Sequence, residues 1–313
     1  MPTMRPPRIR PTALRSFQIT PLRRISSASP WHWHSGETVD LAFDLHKEGE
    51  CKTDSSKCKP PIIFLHGLFG SKINNRSIGK RLSRSLNRPV YALDLRNHGA
   101  SPHNPEHTYA ALAADVAAFL SKHSISRPTL IGHSMGAKAA MALALWEPDR
   151  IANLIAVDNA PVDAALKSDF HSYVAGMRAV SRAGVGTQKE ADGILSEYAK
   201  ELPVRQFLLT NLVRPKTGDS KVLEWRIPVE DLARQLDGMG DFPFRDPEKA
   251  RFEGPTLIVR GTKSPYVADE ALPVIGRFFP RFRLVDIESG HWVISENPEA
   301  FKDAVVEFLE DKD

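Results

Sequence analysis

Apolar and polar residues along the chain follow two periods, one typical of buried β-strands and one of amphipathic helices. Short apolar runs predict strands at residues 38–45, 62–65, 90–95, 129–131, 154–157, 256–259 and 282–287. A polar helical stretch is predicted at 71–86, a helix with apolar residues on one face at 109–123, and further helices at 135–146 and 298–310. Strands and helices alternating at these lengths imply a mostly parallel sheet covered by helices on both faces.

The alternation stops between residues 161 and 245. The segments that read as helical there, without buried strands between them, are AGMRAVSRA, KEADGILSEYAK, VRQFLLTNLV and VEDLARQLDGM. Strands and helices alternate again from residue 256. We therefore expect one α/β domain over residues 35–313, with a helical cap inserted at about 161–245.

Composition and charge narrow the class of protein. Of the 313 residues, 42% are hydrophobic and 26% charged, and no long apolar stretch occurs, so we expect no stable membrane insertion. The net charge of +4 arises at the N-terminus, because residues 1–36 contain six Arg and no Lys, Asp or Glu, which leaves −2 for the rest. We therefore expect no nucleic-acid partner.

Residues 1–34 have the composition of a targeting sequence. They contain Arg and Ser, lack acidic residues, and lack the continuous apolar core of a secretory signal. We expect a mitochondrial presequence that directs the protein to the matrix and is removed near residues 26–29. The many prolines count against a long amphipathic helix, and the alternative is a disordered arm that binds anionic surfaces.

Neither disulfide nor metal chemistry is indicated. Cys51 and Cys58 have six residues between them, which matches no common zinc site, and we expect free thiols. His32 and His34 could chelate a metal weakly, yet no third ligand is evident. We therefore expect neither a metal nor a cofactor.

The segment 132–136 reads Gly-His-Ser-Met-Gly and matches the pattern G-x-S-x-G between a predicted strand and a predicted helix. A serine on such a sharp turn is strained, and side chains at the two Gly positions would collide with adjacent elements. The following helix points free N–H groups at the site. We therefore expect Ser134 to be a nucleophile.

A second motif, His-Gly-Leu-Phe-Gly at residues 66–70, ends the strand upstream. The backbone N–H of Leu68 is expected to join that of Met135 in holding the negative oxygen of a tetrahedral intermediate. Removal of one such donor typically costs about 2.7 to 4 kcal/mol of transition-state stabilisation. The alternative is a Gly-rich turn with a capping histidine.

A general base must reach the serine hydroxyl with one ring nitrogen. Of the eleven His residues, only His291 combines the end of a late strand, a preceding Gly and a position after the nucleophile in the chain. Four other histidines on loops near the predicted site are interpreted as structural or pocket-lining: His66, His98, His103 and His133.

The carboxylate of the site has two candidates. The turn after the strand at 256–259, where an acid is expected, contains no carboxylate before Asp269, which we expect to cap a helix. Asp158 ends the strand that follows the nucleophile's helix and can reach His291 from a neighbouring strand, because a triad is defined by geometry. We favour Asp158, whose alternative role is a turn residue at the entry to the insertion.

These motifs make the chain resemble the α/β-hydrolase superfamily. It is similar in particular to a mitochondrial subfamily that includes the fungal ethanol acetyltransferases and related animal esterases, in the segments IFLHGLFGSKINN, LDLRNHGASPH, GHSMGAKAAM, VDNAPVD, GTKSPYV and GHWV. The resemblance spans about residues 38–310 and implies that Ser134, Asp158 and His291 form the triad. Ala137 departs from relatives, which commonly have a second Gly there, and the insertion matches least.

Motifs and resemblance together predict a serine hydrolase or acyltransferase that acts on an ester or acyl-CoA through an acyl-enzyme. Attack by water would make it an esterase or thioesterase, and attack by an alcohol an acyltransferase. The resemblance implies short acyl groups, such as acetyl from acetyl-CoA, with ethanol as a candidate acceptor. The competing hypothesis is a hydrolase-fold protein that binds a ligand or a partner without turnover.

Overall fold

The computed structural model describes residues 36–47, 59–163, 168–215 and 221–311. The predicted presequence at 1–34, with His32 and His34, lies outside these residues, and so do Cys51 and Cys58. Within the described part of the chain, no helix combines the length and apolar character needed to cross a bilayer.

A seven-stranded sheet forms the centre of the described structure. In chain order the strands are β1 (Phe43–His46), β2 (Ile62–Leu65), β3 (Val90–Leu93), β4 (Thr129–His133), β5 (Asn153–Val157), β6 (Leu212–Val213), β7 (Glu224–Trp225), β8 (Thr256–Gly261) and β9 (Phe282–Ile287). The large sheet has the order β1-β3-β2-β4-β5-β8-β9, and β6 pairs with β7 separately. Only β1 runs antiparallel to its neighbour in the large sheet.

Helices cover both faces of this sheet. In chain order, the helices of the described structure are α1 (Arg76–Leu86), α2 (Tyr109–Lys122), α3 (Met135–Trp146), α4 (Ser168–Ala183), α5 (Gln188–Leu195), α6 (Leu202–Leu209), α7 (Val229–Gln235), α8 (Leu272–Phe278), α9 (Val293–Glu296) and α10 (Pro298–Glu310), of which α4 to α7 belong to the insertion. Buried residues of α1, α9 and α10 share one apolar cluster with the sheet, and those of α2, α3 and α8 share the other. The predicted architecture, a mostly parallel sheet covered by helices on both faces, is confirmed.

The residues between β5 and β8 include α4 to α7, and they also include a feature that the sequence did not predict. Leu212 pairs with Trp225 in the antiparallel ladder of β6 and β7, although we expected helices without strands there. Hydrogen bonds join this insertion to the rest of the chain: among them, Tyr109 Oη donates to Met239 O at 2.9 Å, His103 Nε2 donates to Arg226 O at 2.9 Å, and Asn211 Nδ2 donates to Phe69 O at 2.7 Å.

Two predicted elements near the N-terminal side differ in their bounds. The strand expected at 38–45 begins only at Phe43, because the N–H of Val39 bonds to the side chain of Asp115 at 2.8 Å instead of to a strand. The helix expected at 71–86 begins with a 3₁₀ turn at Lys72–Asn75, and the α-helix starts at Arg76. The N–H of Ser71 donates to the Asn74 side chain at 2.7 Å and fixes this tighter start.

Candidate active site

Ser134 lies on the sharp turn between β4 and α3. Its backbone has φ 53° and ψ −115°, a conformation that is strained for a residue with a side chain. The flanking glycines allow the turn to close. A Cβ on Gly132 would lie 2.1 Å from the carbonyl oxygen of Gly136, and a Cβ on Gly136 would lie 2.5 Å from that of Leu65. Both contacts are with backbone, so only glycine fits at these two positions.

The side chains of Ser134, His291 and Asp158 form one hydrogen-bonded chain. Ser134 Oγ lies 2.9 Å from His291 Nε2, and His291 Nδ1 lies 2.7 Å from Asp158 Oδ2. An ionised carboxylate only accepts, so Nδ1–H donates to Asp158, and Nε2 is left to accept the hydroxyl proton. Asp158 is wholly buried and Ser134 is 8% exposed. In this arrangement an imidazole can withdraw a proton from a serine.

Asp158 follows β5 and is also held by the adjacent strand β8. Its N–H donates to the carbonyl oxygen of Val259 at 2.8 Å, and its Oδ1 accepts the N–H of Gly261 at 3.1 Å. Its Oδ2 accepts hydrogen bonds from both His291 and the hydroxyl of Ser264. The carboxylate therefore lies between the ends of two parallel strands, which lets an acid on β5 reach a histidine that follows β9.

Asp269, the other carboxylate considered from the sequence, lies elsewhere. It begins a single 3₁₀ turn whose N-cap is Ala268, and its side chain accepts a hydrogen bond from Arg260 Nη1 at 2.5 Å. The expectation that Asp269 caps a helix is wrong, because Arg260, which also binds Asp286 through Nε at 2.6 Å, holds the carboxylate at the surface. The Asp269 side chain is 79% exposed.

The two predicted oxyanion donors flank the nucleophile. A Cβ on Gly67 would lie 3.3 Å from Ser134 Cβ, so the turn that contains Leu68 packs directly against Ser134. Met135 begins α3, and its N–H therefore has no acceptor within the helix. Across the described ranges, neither the Leu68 N–H nor the Met135 N–H donates to a protein acceptor. Both groups are available to a negatively charged oxygen on a substrate.

Two buried histidines hold the turn that contains Leu68. His66 Nδ1 donates to the carbonyl oxygen of Gly67 at 2.8 Å, and its Nε2 accepts the N–H of Leu95 at 3.0 Å. His98 Nε2 accepts the N–H of Phe69 at 3.0 Å. Burial lowers the pKa of both His66 and His98, which keeps the accepting nitrogen of each ring unprotonated.

His133 supports the loop that carries His291. Its Nε2–H donates to the backbone carbonyl of His291 at 2.8 Å, and the two ring centroids lie 5.0 Å apart. Burial first, and the nearby His291 ring second, lower the pKa of His133 to about 4. His133 is therefore neutral at physiological pH and does not repel a protonated His291. The ring of Tyr266 also contacts the His291 ring, with centroids 4.2 Å apart.

Sequence reasoning missed two side chains of this region, Ser264 and Lys138. Lys138 lies in α3, four residues after the nucleophile, and its Nζ donates to the carbonyl oxygens of Val162 at 3.0 Å, Gly240 at 2.6 Å and Asp241 at 3.1 Å. It thus binds both ends of the insertion. A lone Lys in the apolar run of α3 was a signal for a buried cation with partners, whereas Ser264 had no comparable signal.

Metal chemistry has no candidate site in the ranges that the structure describes, where no group of three or more His, Cys, Asp or Glu side chains could hold an ion. The groups that the candidate site presents are a hydroxyl, an imidazole, a carboxylate and two backbone N–H donors.

Comparison with known proteins relates this geometry to a family. The sequence profile of the alpha/beta hydrolase fold family matches residues 60–298. A probable alcohol acetyltransferase of Saccharomyces cerevisiae is 44% identical over 288 residues, which cover 87% of this chain and 84% of that protein. An sn-1-specific diacylglycerol lipase of Xenopus laevis is 39% identical over 283 residues, which cover 88% and 86%.

A solved structure points the same way. A marine microorganism esterase superimposes with a TM-score of 0.79 at 30% identity, covering 87% of this chain and 100% of that one. The family match, which spans most of the chain, and the two relatives confirm the resemblance that the motifs indicated. The chain belongs to the α/β-hydrolase family and is an enzyme of the hydrolase or acyltransferase type.

Proposed function

We propose that this enzyme transfers short acyl groups from an ester or thioester to water or to an alcohol, with Ser134, His291 and Asp158 as its triad. The observation that carries the proposal is the unbroken hydrogen-bonded chain through both ring nitrogens of His291, with lengths of 2.9 and 2.7 Å. The names of the relatives, an alcohol acetyltransferase and a diacylglycerol lipase, both describe reactions at an acyl carbonyl.

In the first half of the reaction, Ser134 Oγ attacks the carbonyl carbon of the substrate while its proton passes to His291 Nε2. The carbonyl oxygen becomes negative and accepts hydrogen bonds from the N–H groups of Leu68 and Met135. Asp158, which accepts from Nδ1 at 2.7 Å, stabilises the imidazolium that has formed. The bond to the alcohol or thiol then breaks, and that leaving group takes the proton from Nε2.

In the second half, water or an alcohol gives its proton to His291 Nε2 and attacks the acyl group on Ser134. The tetrahedral intermediate collapses, Ser134 Oγ leaves, and it recovers the proton from Nε2. The acceptor alone decides the product, an acid after attack by water or an ester after attack by an alcohol. The same three side chains serve both outcomes.

The enclosure of the nucleophile supports a small acyl group. Ser134 is 8% exposed, and aromatic rings surround the loop of the base: Tyr266 contacts His291, and Phe207 of α6 contacts Trp292 with ring centroids 4.6 Å apart. We propose that these half-buried rings limit the access of bulk water to the acyl-enzyme, which a transferase needs if an alcohol is to compete with water. We therefore include acetyl-CoA as donor and ethanol as acceptor in the proposal.

The first experiment asks whether Ser134 is a nucleophile. A fluorophosphonate probe should label the wild type and the control Ser85→Ala, whose serine is exposed on α1, but not Ser134→Ala. Labelling of Ser134→Ala at the wild-type rate would refute the assignment. Absence of labelling in all three proteins would favour the alternative that the fold binds a ligand without turnover.

The second experiment identifies the acceptor. The enzyme is incubated with acetyl-CoA or p-nitrophenyl acetate, with and without ethanol, and ethyl acetate, free acetate and CoA are measured. Ethyl acetate that appears only with active Ser134 identifies an alcohol acyltransferase, and acetate alone identifies an esterase or thioesterase. Neither product from either donor would refute the proposal of short acyl groups.

Delivery to the mitochondrial matrix is the remaining part of the proposal, and the arginine-rich, acid-free composition of residues 1–34 supports it. Residues 1–34 fused to a fluorescent reporter should be imported by isolated mitochondria and shortened. A matched fusion in which the six Arg are replaced by Ser should remain outside. Equal behaviour of the two fusions would refute a presequence.

A further inference from the structure

Ser264 lies in the turn that follows β8, at a position that the backbone fixes on two sides. Its own N–H donates to the carbonyl oxygen of Gly261 at 2.9 Å, which closes the turn. The N–H of the preceding Lys263 donates to the carbonyl oxygen of Ser289 at 2.9 Å, two residues before His291. The turn is therefore attached to the loop that carries the proposed base.

The hydroxyl of Ser264 points at the carboxylate of Asp158 and donates to Oδ2, the oxygen that also receives His291 Nδ1–H at 2.7 Å. The N–H of Tyr266 lies 3.4 Å from Ser264 Oγ on the accepting side of this hydroxyl. Since a hydroxyl has one proton, a donor on its accepting side leaves that proton directed at Asp158.

Asp158 depends on these donors because it is wholly buried, so bulk solvent does not reach its carboxylate. Gly261 N–H donates to Oδ1 at 3.1 Å, and the hydroxyl of Ser264 donates to Oδ2. Without the Ser264 hydroxyl, Oδ2 would be fixed by His291 alone, and the carboxylate could rotate out of line with the imidazole.

We propose that Ser264 is a positioning residue of the triad, which holds Asp158 Oδ2 in line with His291 Nδ1 by donating its hydroxyl to that oxygen. The proposal rests on the triad proposed above. It gives a role to the position after β8 where a carboxylate was expected from the sequence. In place of the acid itself, this turn supplies a group that orients the acid on the neighbouring strand.

The test compares Ser264→Ala and Ser264→Thr with the wild type, using kcat and KM for p-nitrophenyl acetate. Loss of a hydrogen bond to a buried charged group should lower kcat about 10- to 100-fold for Ser264→Ala, with KM within about twofold. Ser264→Thr retains the hydroxyl and should recover most of kcat. Thr262→Ala removes an exposed hydroxyl from the same turn and is the matched control, with kcat expected to be unchanged.

A double-mutant cycle separates positioning from a general effect on folding. In an Asp158→Asn background, Ser264→Ala should change kcat by no more than about twofold, because the carboxylate that Ser264 orients is already gone. An equal loss in both backgrounds, or a wild-type kcat for Ser264→Ala, would overturn the proposal. If Ser264→Ala does not fold, Ser264→Cys serves in the same cycle, since a thiol keeps the volume and is a weak donor.

The cycle also distinguishes failure of this inference from failure of the proposed triad. A fully active Asp158→Asn enzyme would refute the triad and with it the role of Ser264. An inactive Asp158→Asn enzyme beside a fully active Ser264→Ala enzyme would leave the triad standing and refute only the positioning role.

Discussion

Lys138 joins the nucleophile's helix to both ends of the insertion, and its protonation should govern stability at alkaline pH. The residue is 2% exposed, and burial lowers its pKa from 10.5 to about 8 in spite of the attraction of Asp241. Between these two values the unfolded chain binds the proton and the folded chain does not. The free energy of unfolding therefore rises as pH increases from about 8 to 10.5, and this contribution is lost as pH falls through 8.

The magnitude follows from the two pKa values. Each pH unit between the two pKa values changes the free energy of unfolding by about 1.4 kcal/mol, so the full change is about 3 kcal/mol. About 2 to 3 kcal/mol of this change occurs between pH 7 and pH 10. Other groups titrate in the same pH range. The prediction therefore concerns the difference in free energy of unfolding between the wild type and Lys138→Met, which cannot titrate at this position.

Urea unfolding, followed by tryptophan fluorescence at pH 7, 8, 9 and 10, measures this difference. The control is Lys80→Met, because Lys80 is exposed on α1. Between pH 7 and pH 10, the free energy of unfolding of the wild type and of Lys80→Met should rise by about 2 to 3 kcal/mol more than that of Lys138→Met. The same pH dependence in all three proteins would refute the reasoning from burial.

Two further predictions concern the acid and the turn of the nucleophile. Asp158→Asn should slow acylation, measured as the stopped-flow release of p-nitrophenol, by about 10⁴-fold because the imidazole loses its orienting acceptor. Asp269→Asn at the surface should stay within about twofold, and the opposite ranking would assign the acid to Asp269. Gly136→Ala should cost at least about 2 kcal/mol in urea unfolding, because its Cβ would meet the Leu65 carbonyl oxygen at 2.5 Å. Gly193→Ala in α5 has open space and should be neutral or stabilise by up to about 1 kcal/mol, so equal effects of the two glycine changes would contradict the packing argument.

The sequence predicted the bounds of a helix or strand correctly where its hydrophobic periodicity and the residues at its ends indicated the same limits. The helix predicted at 135–146 and the helix predicted at 298–310 have these bounds in α3 and α10, since each is preceded by a marked turn or an N-cap. β6 and β7 were missed because each has two residues, too few for an alternating pattern to stand out.

The residues of the candidate site also differ in whether local sequence is enough to identify them. Ser134 and His291 could be selected from the residues next to them in the chain, because a strained turn and a loop after a late strand have recognisable local sequences. The choice of Asp158 required the adjacency of β5 and β8, which sequence suggests only through the fold class. The contact between Ser264 and Asp158 joins residues 106 positions apart, and the residues around Ser264 contain no trace of it.

The carboxylate at the end of β5 accepts hydrogen bonds on both oxygens from the end of β8 and its turn, and this adjacency would allow the acid to move between the two strands during evolution. A descendant that acquired a carboxylate at position 264 would bring a second negative group beside the oxygen that now accepts from both Ser264 and His291. Asp158 would then no longer be required for catalysis and could be substituted, and hydrolysis would persist through both changes. Members of one lineage can thus carry the acid on different strands without any displacement of nucleophile or base.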